Sequence, residues 1–221
     1  MTHELEKRNA AEAAAALVED GMIVGLGTGS TVVALLRALA ARELDIRCVA
    51  TSPRTEEEAR TLGLRVERFD GSDAVDRLDI AIDGADQVSP SGWLVKGGGA
   101  AHTREKVVAA AADRFLVIVS QDKVVKSLAP PVPLELLPFG LAATLRELGD
   151  VRLRDAALSP DGGVLADYLG EIGDPGALSD RLCGSAGVIE HGLFPPFMVS
   201  EVLVGRRGGV DRIAVSGGSS D

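Results

Sequence analysis

The sequence predicts an α/β fold followed by a smaller α+β unit, and three observations carry that prediction. Up to residue 120, short apolar runs alternate with helical segments, the pattern of a parallel sheet covered on both faces. Aromatics make up only 3% of a chain that is 46% hydrophobic, so the core is built from Ala, Val, Leu and Ile, a mix suited to β-branched strands under Ala/Leu helices. Beyond residue 128 the alternation stops, and four prolines fall between 130 and 138. A length of 221 residues accommodates one large domain carrying a second, smaller one.

Each element follows from its own pattern. A helix is expected over 4–19, where charges are scattered through an alanine-rich stretch, and a strand over 22–27. "STVVALLRALAARE" (30–43) sets apolar residues at 32, 33, 35, 36 and 39 along one helical face. Strands over 46–50, 65–69, 79–83 and 115–120 alternate with helices over 54–63 and 103–114. The prolines interrupt this order, since Pro fits neither a helix interior nor a central strand. A helix over 141–149, two strands about a turn at Ser159–Gly163, a helix near 176–183 and a strand over 188–194 come next. Strand–helix–strand–strand–helix–strand is the order of a split βαβ, ferredoxin-like sandwich. "EVLVGRRGGVDRIAV" reads as a closing hairpin that returns to the first sheet, and the final "SGGSSD" as a disordered tail. The expected fold is an open, mostly parallel Rossmann-like sheet (1–128 with 205–221) and a small α+β domain (129–204).

Charge and cysteine content narrow the function classes. With 23 Lys+Arg against 33 Asp+Glu the formal net charge is −10 and no basic run occurs, which argues against nucleic acid or an anionic membrane as partner. A phosphate ligand would need a local basic cluster working against the global field. Cys48 and Cys183 are too few for a disulfide framework. The first twenty residues lack the apolar core of a signal peptide, and no run approaches the ~18 apolar residues of a membrane span. A cytoplasmic enzyme is expected.

Three strand ends carry the candidate chemistry. "GLGTGST" (25–31) follows a strand and opens a helix, so unpaired helix-start N–H groups face an anion with the dipole assisting. The dinucleotide fingerprint G-x-G-x-x-G is incomplete, with Ser30 in its third place and no acid ending "IRCVATS". Thr28, Ser30 and Thr31 suit a single phosphate group; a tight turn with Ser/Thr capping is the competing reading. "AIDGADQV" (81–88) ends a strand on Asp83 and Asp86, where an open sheet places its ligands. Two acids there could bind a metal or a polyol, or one could make an Asx turn. The scattered His3, His102 and His191 complete no metal set, which favours a polyol. In "LVKGGGAAHTREK" (94–106), Lys96 precedes Gly97–Gly98–Gly99, whose amides can form an oxyanion nest. Glu105 then falls in the first turn of a helix, where the dipole lowers a carboxyl pKa and burial would raise it. Either way it is a proton-transfer group; a glycine turn and a surface Glu form the alternative.

Taken together and in this order, "GLGTGSTV", "TSPRTEEEA", "IDGADQV" and "VKGGGAAHTREK" resemble the A-type ribose-5-phosphate isomerase family. The resemblance spans nearly the whole chain, is strong over 22–125, and loosens around "PVPLELLP" and "VIEHGLF". It implies a cofactor-free, metal-free interconversion of ribose 5-phosphate and ribulose 5-phosphate. Carried over by position, Glu105 would be the proton acceptor. Thr28, Gly29, Ser30, Thr31, Asp83, Gly84, Ala85, Asp86, Lys96, Gly97, Gly98, Gly99 and Lys123 would hold substrate, with Lys7 reaching the phosphate. Lys96 and the glycine amides would stabilise the enediolate oxygen, and Asp83 and Asp86 would open the sugar ring and move hydroxyl protons. His102 departs from the apolar residue common in relatives; it is either a structural variant or a tuner of Glu105. A homodimer or homotetramer, with the small domain at its interface, is also implied.

Three other protein classes share parts of this pattern. An amino-sugar phosphate isomerase–deaminase would share the strand-end motifs. A non-catalytic sugar-phosphate sensor should carry a helix-turn-helix and a basic face, whereas this chain is expected to begin directly with its first sheet helix and is acidic. A coenzyme A transferase would use Glu105 as nucleophile and leave Asp83, Asp86 and Lys96 without a task.

Overall fold

The computed structural model describes residues 2–215; the closing segment 216–221, expected to be disordered, lies outside them. In the first unit α1 (Thr2–Ala15), β1 (Ile23–Leu26), α2 (Ser30–Ala40), β2 (Arg47–Ala50), α3 (Pro53–Thr61) and β3 (Arg65–Val66) lead to β4 (Ile80–Asp83). Two short strands, β5 (Gln87–Val88) and β6 (Leu94–Val95), precede α4 (His102–Ala110) and β7 (Phe115–Ser120). The second unit holds β8 (Val132–Leu136), α5 (Leu141–Leu148), β9 (Val151–Leu153), β10 (Val164–Tyr168), α6 (Pro175–Gly184) and β11 (Val188–His191). The chain then passes through β12 (Leu193–Phe194) to β13 (Glu201–Arg206) and β14 (Gly209–Ala214).

The main sheet has the order β14-β13-β7-β4-β1-β2-β3, parallel throughout except for the β13–β14 hairpin. Its inner strands β1, β4, β7 and β13 are buried on both faces, and the period of two divides them between two cores. Leu116 and Ile118 of β7, with Ile80 and Ile82 of β4, face α1 and α2. Phe115, Val117 and Val119, with Ala81, face Val108 and Ala109 of α4. Within α2 the buried residues are Val32, Leu35, Leu36 and Leu39, the expected stripe apart from the half-buried Val33. Each such side chain contributes about 1.5–3 kcal/mol. Alanines at 10, 11, 14 and 15 let α1 lie close to the sheet, so close that a Cβ on Gly205 would meet the Glu6 carbonyl at 1.8 Å.

The small sheet has the order β11-β8-β10-β9, antiparallel throughout, as expected of a ferredoxin-like sandwich. Three local expectations change. β8 runs through Pro133 in a central position, where the residue type argued against a strand; Pro133 has no amide to offer, but its carbonyl still accepts from Gly192 at 2.7 Å. The strand expected over 188–194 is two strands, broken at Gly192, where a Cβ would stand 2.1 Å from the Lys96 carbonyl. There the chain leaves the small sheet and β12 joins β6 and β5 in a three-stranded sheet. Two-residue strands carry no period to read, so this third sheet had no signature. β13 begins at Glu201, and a boundary at 205 would cut it; we propose the two units as 1–128 with 201–215, and 129–200. Among the described residues, no helix is long and apolar enough to cross a membrane.

Candidate active site

β4, β1 and β2 lie side by side, but the connections that leave β1 run one way to β2 and β3 and later ones the other way through β4 to β7. This reversal opens a crevice beyond the carboxyl ends of β1 and β4, the usual ligand position in such sheets. A cleft of about 520 Å³ occupies it. Every residue expected to hold substrate lines the cleft except Asp83: Lys7 from α1, Thr28–Thr31 after β1, Gly84–Asp86 after β4, Lys96–Gly99 after β6, and Lys123 after β7. Glu105 lines it from α4.

Asp83 lies beneath the cleft. Its Oδ1 accepts the amides of Thr28 (3.1 Å) and Gly84 (2.7 Å), and its Oδ2 accepts Lys96 Nζ (2.9 Å). Gly27 makes this possible, because a Cβ there would fall 1.9 Å from the Asp83 carboxyl carbon. Lys96 Nζ also donates to the Gly84 carbonyl at 2.6 Å and stands 2.9 Å from Glu105 Oε2. Asp83, Lys96 and Glu105 are 3%, 2% and 4% exposed, so Glu105 is no surface residue. Lys96 is the one group that meets Glu105 Oε2 among the described residues, at 2.9 Å.

Two acids around one cation cannot both ionise cheaply in a dry site. Burial first, and then the charge of Asp83, push Glu105 up to about 8, against the pull of Lys96. Asp83 is raised as well, chiefly by burial. Burial opposes the charge of Lys96, yet the two carboxylates outweigh it and raise the ammonium above the ordinary lysine range. Of the two opposing influences expected on Glu105, burial dominates the helix start.

Each glycine of the triple run has its own reason. Gly97 has φ +101° and packs on His102 and Pro133, where a Cβ would sit 2.7 Å from His102 Nδ1. Gly98 donates its amide to Asp86 Oδ2 at 2.7 Å, and a Cβ there would crowd that carboxylate at 2.9 Å. Gly99 meets only the Thr28 methyl, at 3.7 Å, so the room it leaves belongs to the cleft. The nest is therefore partly filled by Asp86, while the Gly97 and Gly99 amides donate to no acceptor among the described residues. Ala100 follows at φ +62°, a left-handed conformation that costs a residue with a Cβ about 1–2 kcal/mol.

The threonine loop also differs from expectation. The Thr28 hydroxyl turns inward to Thr51 (2.8 Å), Ser52 (2.9 Å) and Thr55 (3.3 Å), tying the loop to the start of α3, where Ser52 caps Thr55. Ser30 and Thr31 keep their hydroxyls free of protein partners among the described residues. Lys7 pairs with Glu4 at 2.9 Å, and Lys123 lies 3.9 Å from Asp122. His102 is fully buried with neither ring nitrogen partnered. Burial, with Lys106 nearby, depresses its pKa to about 3. A neutral ring adds no charge to Glu105, so His102 fills space under Gly97. Sequence reasoning missed Arg154, which donates to the Gly97 carbonyl at 2.8 Å and to Asp167 at 2.6 Å. It lies 57 positions away on the other unit, and no local motif marks it. A larger hollow of about 710 Å³ beside α3 and α4 holds surface ion pairs such as Arg68–Asp70 and Arg104–Asp161 and no buried triad.

Comparison with known proteins identifies the family. Residues 47–209 match the family model of ribose 5-phosphate isomerase A (phosphoriboisomerase A). Ribose-5-phosphate isomerase A of Natronomonas pharaonis is 44% identical over 223 residues, covering 94% of this chain and 96% of that protein. The crystal structure of ribose 5-phosphate isomerase A from Neisseria gonorrhoeae superposes with a TM-score of 0.90 at 31% identity, over 97% of this chain and 98% of that one. A D-ribose-5-phosphate isomerase solved with phospho-erythronic acid gives 0.89 at 34% identity, over 97% and 100%. With sequence and architecture in agreement over nearly its full length, the chain belongs to the ribose-5-phosphate isomerase A family.

Proposed function

We propose that the cleft interconverts ribose 5-phosphate and ribulose 5-phosphate through an enediolate, with Glu105 as the proton carrier. The observation that carries this assignment is a buried Glu105 that lines the cleft with only Lys96 beside its Oε2 among the described residues. Moving a carbonyl between C1 and C2 requires taking a proton from one carbon and returning it to its neighbour. One carboxylate facing a planar enediolate can do both, and a pKa raised toward the working pH suits it to take and to give. Lys96, fixed by Asp83 and the Gly84 carbonyl, brings fixed positive charge to the developing oxyanion, where a desolvated cation is most effective. The free Gly97 and Gly99 amides support the same oxygen.

The other roles follow from what each group has left to offer. Asp86 spends one oxygen on Gly98 and keeps the other for sugar hydroxyls. Both oxygens of Asp83 are engaged by the protein, so we assign it a positioning role through Lys96 and Glu105 rather than ring opening. The phosphate is read by the start of α2 with Ser30 and Thr31, and by Lys7 and Lys123, a local basic cluster within a chain of net charge −10. Lys123→Ala should raise KM for ribose 5-phosphate about tenfold or more while kcat changes little, because a phosphate contact made equally in ground and transition states is uniform binding. An unchanged KM would remove Lys123 from the phosphate site.

We also propose assembly into a homodimer or homotetramer through the small unit, on which Phe139 (87% exposed), Leu158 and Ile189 stand in solvent. Light scattering of the purified chain should give two or four times the 22.9 kDa chain mass, and a monomeric mass would exclude it. Two free thiols, Cys48 and Cys183, fit a reducing, cytoplasmic setting.

A further inference from the structure

Where α1 meets the turn after β7, three side chains that the proposed reaction does not use converge. His3 Nδ1 lies 3.5 Å from Glu6 Oε2 and 3.3 Å from Asp122 Oδ1, and all three atoms lie within 4.8 Å of one another. Glu6 is only 5% exposed, wedged where α1 presses on β13, and its Oε2 has no hydrogen-bond partner. An unpartnered buried carboxylate oxygen is costly unless a cation or a donor meets it. A single Nδ1–H cannot point at two carboxylates at once, and both distances exceed the usual 2.7–3.2 Å of an N–H···O bond. The two distances from His3 match another geometry: ligands at about 2.0–2.2 Å from a tetrahedral zinc ion stand about 3.3–3.6 Å apart, and Glu6 and Asp122, within 4.8 Å of each other, would close onto the ion. Asp122 is held in place by Ser120, whose hydroxyl donates to Oδ1 at 2.5 Å, the outer-shell support that ligating carboxylates need.

We propose that His3, Glu6 and Asp122 form a divalent-cation site of the zinc class at the rim of the cleft. One imidazole and two carboxylates are a borderline donor set suited to zinc rather than to magnesium. Because His3 and Asp122 line the cleft, the fourth position opens toward it, beside Lys7 and Lys123. The other grouping of such residues does not compete. Cys183 Sγ lies 3.2 Å from His191 Nε2, but the neighbouring Glu190 is already held by Lys106 at 2.5 Å, a cation where an ion would have to sit. Metal binding is read separately from turnover, so the site can fail while the isomerase assignment stands.

The test is a zinc titration of the full chain, stripped with EDTA and dialysed, in competition with a chromophoric chelator. One equivalent should bind per chain. His3→Ala and Asp122→Asn, both at exposed side chains that the fold does not need, should each weaken binding at least about tenfold. The near-isosteric Glu6→Gln should do the same, and Cys183→Ser should bind as the unaltered chain does. Zinc affinity unchanged in His3→Ala and Asp122→Asn, or lost in Cys183→Ser instead, would overturn the site.

Discussion

Glu105→Gln should lower kcat by about 10²–10⁴-fold, the usual cost of removing a general base, with the fold retained. Gln keeps the size and polarity of the side chain and suits the first turn of a helix. Ser30, Thr31 and Lys123 are untouched, so ribose 5-phosphate should still raise the melting temperature. Exchange of the substrate C2 hydrogen with solvent deuterium should fall in parallel with turnover, because both need the same abstraction. The pH dependence gives a second readout. A base must be deprotonated, and Glu105 is held at about 8 by burial and by Asp83, so kcat/KM should fall as pH drops below about 8 in the unaltered enzyme. Stability should move the opposite way. An acid whose folded pKa lies above its unfolded value of 4.5 binds more protons in the native state, so the native state loses stability as pH rises from 4.5 towards 8. Glu105→Gln should flatten that drift. A folded Glu105→Gln protein with near-normal kcat would move the proton transfer to Asp86.

Lys96→Met should be the most damaging single change for both stability and turnover. Met keeps the length and apolar stem but removes the cation that stands between Asp83 and Glu105. Breaking a buried pair by deleting one partner typically costs about 3–5 kcal/mol, since the remaining charge is stranded. The two carboxyls would respond by binding protons more tightly, so the deficit should be larger at pH 9 than at pH 6. That protonation also disarms the base. With the loss of charge stabilisation on the enediolate oxygen, kcat should fall by at least about 10²–10³-fold. Denaturant melts at the two pH values, with kcat measured at saturating substrate, check both halves. A variant as stable as the parent at pH 9 would show that Lys96 does not hold the two acids together.

Much of the architecture was legible because short-range periodicity records it. The i, i+3, i+4 stripe of α2 and the unbroken apolar run of β7 are statements about which face is buried, and burial follows pattern. The strand-end motifs were legible for a related reason: a glycine or an acid at the carboxyl end of a parallel strand sits beside the crevice whatever the details of packing. The sequence by itself therefore determined a mixed α/β fold, its parallel sheet, and the residues at that sheet's carboxyl edge. What only the tertiary structure decided were properties that depend on neighbours distant in the chain. Asp83 lies under Gly27, Arg154 reaches across to Gly97, and Pro133 sits in a central strand because Gly192 and Gly97 pack against it. Glu105 could have been a dipole-stabilised surface acid or a buried base with a raised pKa. Its local sequence is the same in both cases; desolvation is set by what covers a side chain, and here the cover comes from β4, β6 and the Lys96 that they place beside it.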